Sequence, residues 1–69
     1  MLNVYLNEDR TRHSDEIVAY LNELFLHDCN FGNREFEIFP NQDFTYLDGI
    51  DEILGTKILN RINSIGMEA

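Results

Sequence analysis

Cysteine, proline and tryptophan are almost missing from this chain of 69 residues, which has one Cys, one Pro and no Trp. The single thiol, Cys29, cannot close an internal disulfide, which argues against a stapled secreted scaffold and for a cytoplasmic protein. Cations are scarce as well. Five Lys and Arg stand against 13 Asp and Glu, a net charge of −8 at pH 7. Nucleic acids and anionic membranes are held by Lys and Arg that neutralise phosphates, so direct binding to either is not expected. Long apolar runs are missing too. The longest, Ile17-Val18-Ala19-Tyr20-Leu21, falls far short of the roughly 20 residues of a membrane span. The start, Met1-Leu2-Asn3-Val4-Tyr5-Leu6-Asn7, has neither the basic nor the apolar region of a signal peptide, and no leader is expected.

What is present is apolar sequence in periodic order, 43% of the chain, which predicts a folded body rather than disorder. The length fits one domain over residues 1–69. A core of this size yields only about 3–5 kcal/mol of net stability, which a partner or self-association would supplement. Leu2, Val4 and Leu6 alternate with Asn3, Tyr5 and Asn7, the period of a half-buried strand. Residues 8–13 are polar throughout and read as a loop. Ser14 stands where an N-cap belongs, followed by Asp15 and Glu16 in the first turn. Ile17, Tyr20, Leu21, Leu24 and Phe25 then keep helical spacing, predicting a helix over 15–28. Asn30, Gly32 and Asn33 supply its stop.

Residues 35–39 alternate again, with Phe36 and Ile38 inward, and Pro40 ends that strand. Residues 41–48 fit a strand or a helical turn. Ile50, Ile53, Leu54, Ile58, Ile62 and Ile65 predict a second helix over 50–65, with a possible break at Gly55-Thr56. The fold class is therefore α+β: a two- or three-stranded sheet with two helices on one face, in the order β-α-β-(β)-α. The expected core is Leu2, Val4, Leu6, Ile17, Leu21, Leu24, Phe25, Phe36, Ile38, Ile53, Leu54, Ile58 and Ile62.

Catalytic and metal-binding patterns are weak. His13, His27 and Cys29 are the residue types of a metal site or a Cys–His pair, but one Cys cannot build paired zinc ligands. The acids fall on polar faces, where burial does not raise their pKa for acid–base work. No cofactor, no metal and no enzymatic activity are expected.

Leu47, Gly49, Ile50, Gly55, Lys57, Ile58 and Leu59 resemble, in part, the helix-hairpin-helix family of DNA-binding elements. That resemblance implies two helices joined by a turn whose N–H groups meet a phosphate. Asp48 and Asp51 replace the proline and second glycine of the family's turn, placing negative charge where the phosphate would sit.

The charge distribution is more informative. Residues 35–52 hold Glu35, Glu37, Asp43, Asp48, Asp51 and Glu52 with no Lys or Arg, interleaved with Phe36, Phe39, Phe44 and Tyr46. Glu35 and Glu37 on one strand face would stand about 6–7 Å apart, close to the spacing of successive phosphates. The expected function is a non-enzymatic protein-binding module. It would present Glu35, Glu37, Asp43, Asp48, Asp51 and Glu52, with Phe39, Phe44 and Tyr46 as anchors, to a basic, nucleic-acid-binding site on another protein. In size and charge the chain resembles the small inhibitors carried by phages and mobile elements. The alternative is a structural or adaptor module that forms a homodimer through the isoleucine stripe of the last helix.

Overall fold

The computed structural model describes residues 1–28, 31, 34–41 and 43–67. The alternating start of the chain forms strand β1, Leu2–Leu6. Leu2, Val4 and Leu6 are fully buried, while Asn3 and Tyr5 on the other face are half-buried. Asn7 then opens a helical turn, α1, over Glu8–Thr11. Its side chain accepts from the Arg10 N–H at 2.9 Å, and Glu8 and Asp9 sit in the first turn where the helix dipole favours carboxylates. The stretch expected as a polar loop is thus helical, because Asn7 caps it.

Helix α2 spans Ser14–His27 and buries Ile17, Leu21 and Phe25. Ser14 is its first residue and not its cap. His13 takes the cap position without a side-chain bond, since only Arg12 and His13 separate the two helices. Beyond α2, Phe31 is buried and its ring lies 6.2 Å from that of Phe25. Asn30, Gly32 and Asn33, expected to stop the helix, lie outside the described residues, as does Cys29.

Strand β2, Phe36–Pro40, runs parallel to β1, with Phe36 opposite Leu2 and Pro40 opposite Leu6. A parallel partner requires a crossover connection, which the two helices provide. Strand β3, Tyr46–Asp48, settles the open reading of 41–48 as a short strand. It runs antiparallel to β1, which is central in the order β2-β1-β3. Gly49 turns the chain out of the sheet at φ +93°, and a Cβ there would collide with the Met1 carbonyl oxygen. Only glycine fits this close approach.

Helix α3 covers Glu52–Ser64. The Asp51 side chain caps it by accepting from the Leu54 N–H at 3.2 Å. No break occurs at Gly55. The Thr56 hydroxyl donates back to the Glu52 carbonyl at 2.8 Å and starts no new helix. Gly55 is buried, and a Cβ there would approach the Ile50 Cγ2 to 3.1 Å. With Leu47 and Asp48 in a strand and Asp51 capping a single helix, the segment is not a helix-hairpin-helix.

The mixed three-stranded sheet thus carries its helices on the Leu2–Val4–Leu6 side, an α+β fold in nearly the expected order. The shared core joins those residues to Ile17, Leu21, Phe25, Phe31, Ile58, Ile62 and Ile65, with Leu24, Phe36, Ile38 and Leu54 packed at its margin. Ile53 was expected inside and is 73% exposed. At 100° per residue it lies about 140° around the helix from Ile58 and about 180° from Ile62, so it points to solvent. Ile65 takes the inward place at the end of the chain's helical face.

Candidate protein-docking face

Because the helices cover one side of the sheet, the residues of opposite parity make up the other. The register places them in two rows. Across the first, Phe39 of β2, Tyr5 of β1 and Tyr46 of β3 are direct neighbours. Their rings stack, with Tyr5 and Phe39 centroids 5.3 Å apart and Tyr5 and Tyr46 centroids 4.4 Å apart. Phe44 extends the row beyond Tyr46 at 5.2 Å and is 58% exposed. Its position is set by Asn41, whose side-chain amide donates to the Phe44 carbonyl at 2.8 Å. The Thr45 hydroxyl accepts from the Asn7 N–H at 3.0 Å and holds the start of β3 against β1.

The second row is polar. Glu37, Asn3 and Asp48 are aligned across the three strands, which sets the two carboxylates on either side of Asn3, about 10 Å apart at two strand spacings. Glu35 continues the β2 side of this row. Its carbonyl accepts from the Leu2 N–H at 2.8 Å, and its side chain is exposed. Carboxylates and flat rings therefore share one uncovered surface.

The structure gathers Glu35, Glu37, Phe39, Phe44, Tyr46 and Asp48 there. It places the other three expected contact residues elsewhere. Asp43 is exposed in the β2–β3 connection, while Asp51 and Glu52 belong to the start of α3, where Asp51 is engaged as the cap. Tyr5, the centre of the aromatic row, was not among the residues singled out, although the alternation of residues 1–7 put it on the outer face.

The cations lie away from these rows except Arg34, which borders Glu35. Arg10 is almost wholly buried and donates to the Ile62 carbonyl at 3.0 Å, to the Asn63 carbonyl at 3.4 Å and to the Ile65 carbonyl. It thereby satisfies the open carbonyls at the end of α3, where positive charge complements the helix dipole. Arg12 pairs with Asp9 at 2.7 Å. Arg34 donates to the Phe31 and Gly49 carbonyls at 3.0 and 3.4 Å. Lys57 and Arg61 are on α3. The aromatic and acidic rows thus keep a net negative field, with Arg34 as the one side-chain cation at their Glu35 end among the described residues.

The chain matches no protein-family model, no curated protein and no solved structure.

The two histidines stand at opposite ends of α2. The His13 ring packs over Gly66 and its Nδ1 is 3.7 Å from Glu16 Oε1, while His27 Nε2 lies 3.3 Å from Glu23 Oε2. Among the described residues no three His, Cys, Asp or Glu side chains come close enough to hold a metal ion. No helix among them is long and apolar enough to cross a membrane. Of the isoleucine stripe proposed as a dimer surface, Ile58, Ile62 and Ile65 are buried in the core and Ile50 is packed against it.

Proposed function

We propose that this chain is a non-enzymatic protein-binding module whose helix-free sheet face docks on a basic, nucleic-acid-binding site of another protein and competes for it. The reading is carried by one observation: the stacked row Phe39–Tyr5–Tyr46 lies directly beside Glu35, Glu37 and Asp48, which outnumber the single neighbouring cation, Arg34. Carboxylates at strand spacing offer a basic groove charges separated much as phosphates are. Rings beside them offer the flat apolar surface that bases offer in nucleic acid, and aromatic residues at the centre of an interface carry much of its energy. The field of the acids steers encounter, and the rings hold the complex once formed.

A direct test uses the tagged protein as bait in lysate of its source cell, eluted with a salt gradient. The expected result is a nucleic-acid-handling protein released at moderate salt and displaced by added DNA or RNA. Recovery of partners indifferent to both salt and nucleic acid would overturn the proposal.

A further inference from the structure

The docking face ends at a strand edge that offers backbone bonds of its own. In the parallel ladder the Leu2 N–H donates to the Glu35 carbonyl and the Asn41 N–H donates to the Leu6 carbonyl, both at 2.8 Å. With Phe36 opposite Leu2, this fixes the direction of every peptide group along β2. Residues 35, 37, 39 and 41 bond towards β1. The N–H and C=O of Phe36 and Ile38, and the C=O of Pro40, point the other way. Since β2 is an outer strand of the sheet, these groups have no strand partner. The opposite edge, β3, is only three residues long and offers much less.

Side-chain burial shows the same incompleteness. In the central strand Leu2, Val4 and Leu6 are wholly covered, whereas Phe36 and Ile38 are only half-buried. Their uncovered flank is the one that another strand would close. Two hollows open on the helix side of this edge. One, of about 450 Å³, is lined by Asn22, Phe25, Leu26, Arg34, Glu35 and Phe36, and Leu26 at its rim is 72% exposed. The other, of about 420 Å³, lies among Glu8, Thr11, Pro40 and Asn41.

We infer that the outer edge of β2 receives an extended segment of the partner protein, in which basic and apolar side chains alternate. This rests on the docking face proposed above and names the form in which the partner meets it. Successive side chains of an added strand point to opposite faces of the sheet. Those on the helix side reach the hollow where Phe25, Leu26 and Phe36 form an apolar wall, rimmed by Asn22, Arg34 and Glu35, and apolar groups fit against that wall. Those on the open side come against Glu35, Glu37 and the ring of Phe39, which favours Lys and above all Arg, whose planar guanidinium both pairs with carboxylates and stacks on rings. A second copy of this chain fits poorly, because it would bring its own Glu35 and Glu37 to the same edge.

The test is amide hydrogen exchange on the full chain with two synthetic peptides of identical composition, one alternating Lys and Val and one with the lysines and valines in separate blocks. The alternating peptide at about ten times its Kd should slow exchange of the Phe36 and Ile38 amides roughly tenfold, while the block peptide leaves them unchanged. A chain synthesised with an N-methyl group on Ile38 keeps its ladder to β1 and should bind the alternating peptide about tenfold more weakly. Equal protection by both peptides, or no new protection at Phe36 and Ile38, overturns the inference. Resonance shifts at Tyr5, Glu37 and Tyr46 without edge protection overturn it while leaving the docking face standing. Protection that appears without peptide as the protein is concentrated overturns it in favour of self-pairing.

Discussion

Arg10 shows how much one side chain can organise here. Its guanidinium reaches from α1 to the last carbonyls of α3, with Asp9 Oδ2 at 2.9 Å as its counter-charge. Arg10→Met keeps the apolar stem but leaves those carbonyls unpaired, and should cost about 2–3 kcal/mol in urea unfolding. Arg10→Lys should recover only part of this, because one ammonium cannot both meet the α3 carbonyls as Nη1 does and keep the Nε and Nη2 bonds to Asp9. Nothing in the sequence marks this residue, since of the two Arg in a polar stretch Arg10 is buried only because α3 ends beside it. The same cluster sets an acid limit. Hydrogen bonds from Arg10 and then Arg12 hold the Asp9 carboxyl below its ordinary range. A lowered folded pKa means that Asp9 stabilises the fold above the unfolded value of about 3.9 and ceases to do so as pH falls through the lower folded one. At the alkaline end, burial pushes the Tyr20 hydroxyl up, with Asp28 adding to the shift and Arg61 opposing it. Its contribution is complete below about pH 10 and declines as pH rises through the raised value. Unfolding midpoints measured from pH 2 to 11 should therefore fall at both ends, and Asp9→Asn should flatten the acid limb while leaving the alkaline limb in place.

Among the elements, the long periodic segments were legible and their caps were not. The alternation of residues 1–7 and of 35–39 gave both parallel strands, and the spacing from Ile17 to Phe25 gave α2 within one residue at each end. Short elements escaped because their causes are single side chains. Asn7 makes α1 by capping it, and the Tyr46–Asp48 strand exists because β1 offers it a ladder. The isoleucine stripe misled for a different reason. Five isoleucines in a row of similar spacings look alike until the start of α3 at Glu52 fixes the phase. That phase makes a sharp contrast between two chemically identical residues. Ile62→Ala removes a wholly buried side chain and should cost about 2–5 kcal/mol, whereas Ile53→Ser at a solvent-facing position should change stability by less than about 0.5 kcal/mol. Urea titration of the two variants with equal m-values would check the assignment, and comparable losses would put the helix in another rotation.

Over the whole molecule, the candidate site was half legible. Composition exposed the acidic segment, and strand parity turned Glu35 and Glu37 the same way, while the open reading of 41–48 gave Tyr46 and Asp48 no face until their pairing with β1 supplied one. What sequence alone did not supply was the strand order β2-β1-β3, which sets Tyr5 in the middle of the rings and removes Asp51 and Glu52 to the helix layer. The arrangement separates stability from the proposed function in a way that can be measured. Glu37 and Asp48 lie on an open face of a molecule of net charge −8, where like charges repel and no ion pair to either carboxylate forms among the described residues. Neutralising both, as Glu37→Gln with Asp48→Asn, should leave the melting temperature equal or slightly higher. Added salt should raise the melting temperature of the wild type more than that of the double variant, because it screens the same repulsion. Binding should move the opposite way. Charge reversal by Glu35→Lys with Glu37→Lys should slow association with the basic partner by about tenfold or more at low salt and flatten its salt dependence, with little change in dissociation. Tyr46→Ala should do the reverse, speeding dissociation while leaving the salt dependence intact. Stopped-flow association and dissociation rates over a range of ionic strengths would separate the two roles. If the doubly reversed variant associated as fast as the wild type, the acids would serve only to keep the protein in solution.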